Sequence, residues 1–310
     1  MRVVFCGSGS FAVPSLAAVA QSSAHQVVGV VSQPPRPSGR GGKLHHTPVA
    51  EHCSQMGLPL VELENINTPQ SLDVLRALGG DVMCVADFGQ FVRKPARDLY
   101  PAGTFNLHGS VLPELRGAAP LNWAIIRGCK TTGLTTFSLV DKMDAGPIYL
   151  TCETPIFPHE TVDDLRERLA QMGAKLVCET LDALAAGRME GRVQDESKAS
   201  LAPRLTKADG TIDWSVDAQT VRNRIHGTWS WPGASAVFHG QRHRDLRVVF
   251  KRVEADATPG TAPGKLDQDL CVGAGTGRLR VLELQPAGKR LMAWKDFANG
   301  YRLAAGDVFL

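Results

Sequence analysis

The sequence predicts an α/β protein: a mostly parallel sheet with helices around it, followed by a small antiparallel sheet or barrel. Three observations carry this. Over the first two hundred residues short apolar runs alternate with amphipathic segments, the pattern of strand-helix-strand units. From 190 to 207 the chain is polar, holds Pro203 and keeps no period, which suits a connection between domains. Beyond it the pattern changes to alternating segments separated by Gly and Pro. The boundaries read this way are 1–189 for the first domain, 190–207 for the connection and 208–310 for the second domain.

Each element has its own signal. Segments 2–6, 27–32, 82–86, 104–107 and 134–140 are short and apolar, as buried strands are. Helices are expected near 11–20, 49–56 and 70–78. The clearest helix starts at Thr161 with Asp164 three residues on, a pairing that resembles a capping box, and continues with Val162, Leu165, Leu169, Met172 and Leu176 at helical spacing. In the last third a short helix is expected around 218–226 and strands at 234–238, 246–253 and 279–284.

Composition excludes several classes. Hydrophobic residues make up 43% and charged residues 21%, which is ordinary for a globular protein and not for a disordered or fibrous one. No apolar run approaches the ~18 residues that a membrane span needs. A glycine follows the first strand too early for a secretory leader, so the protein is expected in the cytoplasm. The seven cysteines are scattered without a C-x-x-C pair, which argues for reduced thiols over a disulfide framework or a zinc site. Net charge is only +3, but it is unevenly placed. Residues 1–50 hold Arg2, Arg36, Arg40 and Lys43 and no acid, and residues 206–310 hold 15 basic against 11 acidic side chains.

Gly7-Ser-Gly9-Ser-Phe-Ala12 follows a strand and opens a helix, which superficially fits a dinucleotide fingerprint. The acidic residue that such a site wants about twenty residues on is missing, leaving only Arg36 for an NADP phosphate. A tight turn is the plainer account. The segment 33–46, with its prolines, glycines and unopposed Arg36, Arg40 and Lys43, reads as a loop without regular structure whose basic side chains suit phosphate backbones. His45 and His46 lack a nearby carboxylate or thiolate to complete a metal set.

The most informative stretch runs from Phe105 to Pro120. Asn106 and His108 lie two apart on a strand and so share a face, at the carboxyl end where open α/β sheets bind ligands. An amide donor beside an imidazole suits a reaction that passes through an oxyanion. Asp144, in Met143-Asp144-Ala-Gly146, supplies a carboxylate to orient that imidazole.

Together these motifs resemble the folate-dependent formyltransferases over nearly the whole chain. The landmarks are Gly7-Ser-Gly9, Arg36-Pro-Ser-Gly-Arg40-Gly-Gly-Lys43, Asn106-x-His108-Gly-Ser110-x-Leu112-Pro113, Arg116-Gly-Ala-Ala-Pro120, Asp144-x-Gly146, Asp213-Trp214 and Leu284-Gln-Pro-Ala-Gly-Lys289. The resemblance implies a Rossmann-like formyltransferase domain followed by an OB-like barrel. It implies Asn106, His108 and Asp144 as the catalytic set, Ser110, Val111, Leu112 and Pro113 at the tetrahydrofolate site, and Arg36, Arg40 and Lys43 on a tRNA acceptor arm. The Arg-rich loop and the Leu284 to Lys289 motif are what point to a tRNA-directed member.

The activity so implied is transfer of a formyl group from 10-formyltetrahydrofolate, as co-substrate and without a metal, to the α-amine of methionyl initiator tRNA. The chain is expected to act as a monomer. Leu121-Asn122-Trp123 and the Asp-Ala-Gly-Pro form of the aspartate motif also occur in sugar-nucleotide formyltransferases, which keeps an amino-sugar nucleotide open as the acceptor. An NADP-binding oxidoreductase and a non-enzymatic RNA binder are the remaining alternatives. Asp87, where the family usually has an aromatic residue before the glycine, has no role that the resemblance supplies.

Overall fold

A computed structural model describes residues 1–38, 42–240 and 245–310. Its strands are β1 (Arg2–Gly7), β2 (Gln26–Ser32), β3 (Arg36–Ser38), β4 (Lys43–His45), β5 (Leu60–Glu62), β6 (Val82–Ala86), β7 (Thr104–His108), β8 (Thr131–Ser138), β9 (Ile148–Pro155), β10 (Ala234–His239), β11 (Leu246–Asp256), β12 (Val272–Gly273), β13 (Arg278–Pro286), β14 (Met292–Ala293) and β15 (Val308–Phe309). The helices are α1 (Val13–Gln21), α2 (Pro48–Met56), α3 (Pro69–Leu78), α4 (Lys94–Arg97), α5 (Pro120–Ile126), α6 (Val162–Ala185), α7 (Ala218–Thr228) and α8 (Trp294–Tyr301). They build two compact units. The first comprises Met1–Gly117, Gly133–Thr154 and Arg166–Leu201, the second Ala118–Thr132, Pro155–Leu165 and Ala202–Leu310.

The first unit holds a seven-stranded sheet in the order β5-β2-β1-β6-β7-β8-β9. β1 pairs in parallel with β2 and β6, β6 in parallel with β7, and β7 antiparallel with β8. Strands β1 and β6 are buried along nearly their whole length, which is why they read as unbroken apolar runs. Because the chain leaves β1 first to β2 and later returns to β6, the carboxyl ends of β1 and β6 flank the switch point where such sheets bind ligands. The helices start as their sequences ask. Thr47 and Thr68 cap α2 and α3 through their side chains, each followed by Pro, and Gly57 and Gly79 end those helices at positive φ.

Two corrections concern this unit. The segment expected to lack regular structure forms a small antiparallel ribbon, with Arg36 opposite His45 and Ser38 opposite Lys43. Pro37 can sit in it because alternate residues of an antiparallel ribbon turn their N–H away from the partner strand. The edge strand β9 is not among the strands that the sequence predicts. Its exposure alternates from Leu150 onward, so it lacks the apolar run that marks its neighbours.

The second unit is built on an antiparallel sheet in the order β12-β13-β11-β10-β15, with β14 on β13. In β10 the inward residues Ala234, Ala236 and Phe238 alternate with outward ones, and β11 breaks its register near Arg252, which bends the sheet. Trp214, Phe238, Phe250, Phe297 and Phe309 fill its core, many of them edge to face. At the start of α6, Thr161 N–H donates to Asp164 Oδ2 at 2.8 Å while Asp164 N–H points back to Thr161 Oγ1 at 3.4 Å, the reciprocal cap that the sequence announces. Among the described residues no helix is long and apolar enough to cross a membrane.

Candidate active site

Strand pairing sets the site. In β7, Asn106 pairs with Val85 on one side and Phe137 on the other, and His108 stands opposite Thr135. Their spacing of two puts both side chains on one face. The Asn106 carboxamide is half-buried and has no hydrogen-bond partner among the described residues, so its N–H groups are available to a ligand. The His108 ring is 5% exposed and stands edge-on to Phe137 at 6.3 Å. Its Nε2 lies 2.9 Å from the Leu115 carbonyl, which only accepts, so Nε2 carries the proton of that bond. The other nitrogen, Nδ1, turns toward Asp144 Oδ2 at 3.9 Å. That is ion-pair range, beyond a direct hydrogen bond.

Asp144 is held from several directions. Its residue sits at φ 51°, a left-handed conformation that Asp tolerates better than most residues. Its Oδ2 accepts the Gly117 N–H at 2.8 Å, tying the loop after β7 to the aspartate turn. Gln194 Nε2 donates to the carbonyls of Asp144 (2.9 Å) and Gly146 (2.7 Å). Gln194 Oε1 in turn accepts from Arg116 Nε and Nη2 at 3.1 and 2.7 Å, and Arg116 also pairs with Glu196 at 2.8 Å. Glycine is required two residues after Asp144, because a Cβ at Gly146 would sit 1.7 Å from the Ser138 carbonyl.

Sequence reasoning misses Gln194 and Glu196. Both lie in the aperiodic segment that reads as a connection, and Gln194 is 6% exposed only because tertiary contacts bury it. An isolated Gln in a polar stretch carries no signal of that. Arg116, part of the Arg-Gly-Ala-Ala-Pro landmark, is 4% exposed and forms the centre of the network.

Ser110 to Pro113 form a turn fixed by Thr135. Its hydroxyl donates to the Ser110 carbonyl at 2.7 Å and accepts from Leu112 N–H at 3.0 Å. Ser110 Oγ donates to the Glu114 carbonyl at 2.5 Å, and Leu112 packs with Phe137 and Ile148. The side chains of Val111 and Pro113 are therefore the ones that this turn leaves half-open. Arg36 and Lys43 lie apart from this cluster on the β3–β4 ribbon, Arg36 at a strand start and Lys43 exposed. Arg40 lies outside the described residues.

The glycine turn after β1 proves to be occupied from within. The Asp87 carbonyl accepts the N–H groups of Ser8 and Gly9 at 3.0 Å each, and the Asp87 carboxylate accepts the N–H of Phe11. A Cβ on Gly9 would fall 1.8 Å from Asp87 Oδ2. Where a dinucleotide fold would receive a pyrophosphate, this chain places its own carboxylate, which explains both Gly9 and the missing acid after β2. Burial pushes the Asp87 carboxyl above the ordinary carboxylate range, against the opposing pull of Arg166 and the Phe11 N–H.

Comparison with known proteins agrees with the geometry. A family model for formyl transferase matches residues 1–181, and one for the formyl transferase C-terminal domain matches 204–302. A protein named methionyl-tRNA formyltransferase from Solibacter usitatus is 38% identical over 309 residues, covering 99% of this chain and 98% of its own. One of the same name from Trichlorobacter lovleyi is 39% identical over 310 residues, covering 100% and 97%. Among solved structures, an N-formyltransferase from Helicobacter canadensis in complex with folinic acid and dTDP-3-aminofucose shares the fold, with a TM-score of 0.63 at 13% identity over 94% of this chain and 100% of that one.

Proposed function

The chain belongs to the formyl transferase family, and from that premise we propose that it moves the formyl group of 10-formyltetrahydrofolate onto the α-amine of methionyl initiator tRNA. The observation that carries this is local. At the carboxyl end of β7, a carboxamide with free N–H groups stands on the same face as a buried imidazole facing a carboxylate at 3.9 Å.

The amine attacks the formyl carbon, a new C–N bond forms, and the carbonyl oxygen takes up negative charge. Collapse then breaks the bond to the folate nitrogen, which gains the proton that the amine gives up. An α-amine titrates at ~7.7 to 8.0, and lower when its carboxyl is esterified as in a charged tRNA, so much of it is already neutral and no strong base is needed. The demand lies in the oxyanion. Asn106 donates to it, and His108 moves the proton between the two nitrogens while Asp144 stabilises the imidazolium that forms. Gln194 and Arg116 act through Asp144 by fixing its backbone.

In this reading Val111 and Pro113 border the folate, with Ser110 and Leu112 shaping the turn beneath it. Arg36, Arg40 and Lys43 meet the phosphates of the acceptor arm. Residues 1–189 carry the chemistry with Gln194 of the 190–207 connection supporting Asp144, and 208–310 hold the RNA, in a cytoplasmic monomer. The test is a transfer assay with charged initiator tRNA, elongator tRNA, uncharged tRNA and an amino-sugar nucleotide side by side. Formylation of the charged initiator, with kcat lowered by about 10² to 10³ in Asn106→Ala, is the expected result. Transfer to the sugar nucleotide alone, or an undiminished rate in the variant, overturns it.

A further inference from the structure

The second unit contains a cavity of about 350 Å³ that the reaction above does not use. It lies between the turn after α5, the segment at 156–159, one face of α7 and the C-terminal end of β11. Its volume falls in the range of small-molecule sites, ~300 to 1,000 Å³.

The charges on its walls do not balance. Lys130, His159 and Arg222 face it with a single carboxylate, Glu254, which is already 3.8 Å from His159. Neither Lys130 nor Arg222 has a carboxylate partner among the described residues. Arg222 Nη1 donates to Asn223 Oδ1 at 2.8 Å, a neutral acceptor that also takes Gln219 Nε2 at 2.8 Å. The guanidinium is thus half-buried without a counter-ion, and burial alone depresses its pKa. The neighbouring His226 reports the same field. Burial first, then the charges of Arg222 and Arg252, push its imidazole down to about 3, and its Nε2 accepts the Val253 N–H at 3.1 Å as a neutral ring does.

We propose that this cavity binds a phosphate group carried on a body of about one nucleotide. Arg222 offers the planar fork that phosphate oxygens match, and Lys130 adds a mobile charge at the open edge. Gln219 supplies a carboxamide for hydroxyl or base edges, and the apolar side chains of Ile125, Ile156 and Val253 give a sugar or base a surface. The phosphate can come from a free nucleotide or from one nucleotide of the RNA. Only the second source rests on the function proposed above.

The experiment titrates the full chain with AMP and with adenosine by calorimetry, in wild type, Arg222→Gln, Arg222→Lys and Lys130→Gln, and measures the salt dependence of the tRNA KM in the same set. Lys130 is exposed, so its variant tests the site even if the Arg222 variants fold poorly. AMP binding that adenosine does not reproduce, weakened at least tenfold by Arg222→Gln or Lys130→Gln and partly restored in Arg222→Lys, supports the site. If AMP also raises the tRNA KM competitively, or if the salt slope falls by about 0.9 in either Gln variant, the RNA is the source; an unmoved KM assigns a free nucleotide. Equal AMP affinity in all variants overturns the proposal, as does absence of AMP binding together with an unchanged salt slope. Absence of formyl transfer to the charged initiator tRNA by the wild-type chain, with AMP binding retained, would refute the proposed function and leave this site standing.

Discussion

In the proposed mechanism the Asp144 carboxylate does two jobs at once, and replacing Asp144 with Asn separates them. The Asn side-chain oxygen still accepts the Gly117 N–H now bonded to Oδ2 at 2.8 Å, and Asn is at home at the φ of 51° that the site imposes. Only the charge is lost. With 3.9 Å between His108 Nδ1 and Asp144 Oδ2, Coulomb's law at an effective dielectric near 20 gives about 4 kcal/mol for a full imidazolium beside a full carboxylate. A transition state with the proton half transferred realises about half of that, roughly a 30-fold loss in kcat; a fully formed imidazolium sets the ceiling near 10³-fold. The assay is steady-state transfer at saturating folate and tRNA, paired with thermal melting. We expect kcat to fall between those limits, both KM values to stay within about threefold and the melting temperature to move little. Asp144→Ala, which loses the Gly117 bond as well, should fall further and melt lower. A kcat within threefold of wild type in Asp144→Asn would show that the carboxylate only ties down a loop, and the charge argument would be refuted.

Asp87→Asn tests this desolvated carboxyl, on a residue that is itself exposed, by linkage. Its folded pKa lies above the unfolded value of 3.8, so the native state holds the proton more tightly than the unfolded chain, and wild-type stability falls as pH rises through that interval; the variant should be at least as stable at pH 7, and the wild-type-minus-variant difference measured by urea denaturation should shrink from pH 7 toward pH 4. Gly9→Ala should cost about 1 to 3 kcal/mol because its Cβ would land 1.8 Å from Asp87 Oδ2, and a double-mutant cycle with Asp87→Ala should recover more than half of that loss. Gln194→Leu strips the carbonyls of Asp144 and Gly146 of their donor and Arg116 of an acceptor. Denaturation should show a loss of about 2 to 4 kcal/mol, with kcat reduced more than either KM.

What the sequence reveals depends on whether a residue's role is set by near neighbours. The run at 82–86 is a strand because every side chain in it is buried, and Asn106 and His108 share a face because a strand repeats every two residues. Thr161 and Asp164 close a cap within one turn. Each of these is legible from the pattern of residues within a few positions of one another. The ribbon at Arg36–Ser38 and Lys43–His45 is hidden because its residues are chosen for exposure and bending, and the short helix α8 because eight residues give periodicity little room. Gln194 is harder still. It lies 50 residues from the Asp144 carbonyl that it binds and 78 from Arg116, so only the folded chain shows that one amide joins the two. The role of Asp87 is hidden in the same way, since the turn it fills is contributed by β1 and the glycine it excludes a side chain from is Gly9.

Asp87 and Asp144 make the same local arrangement and do different things with it. Each stands just beyond or between strands at a positive φ, 44° and 51°, and each carboxylate accepts a backbone N–H from another loop, Phe11 in one case and Gly117 in the other. Geometry of the turn therefore does not decide which of them suits the proposed proton-moving role. The neighbours do. Asp87 faces the start of a helix and a basic side chain, Arg166, in a place too crowded to admit even a methyl group at Gly9, so its charge is spent on closing the glycine turn. Asp144 retains an imidazole within 3.9 Å whose second nitrogen is otherwise unengaged, next to a carboxamide with free donors. Closing the first position fills the phosphate seat that this fold elsewhere uses for dinucleotides, whereas the carboxyl end of β7 keeps the groups that the proposed reaction asks to meet developing charge.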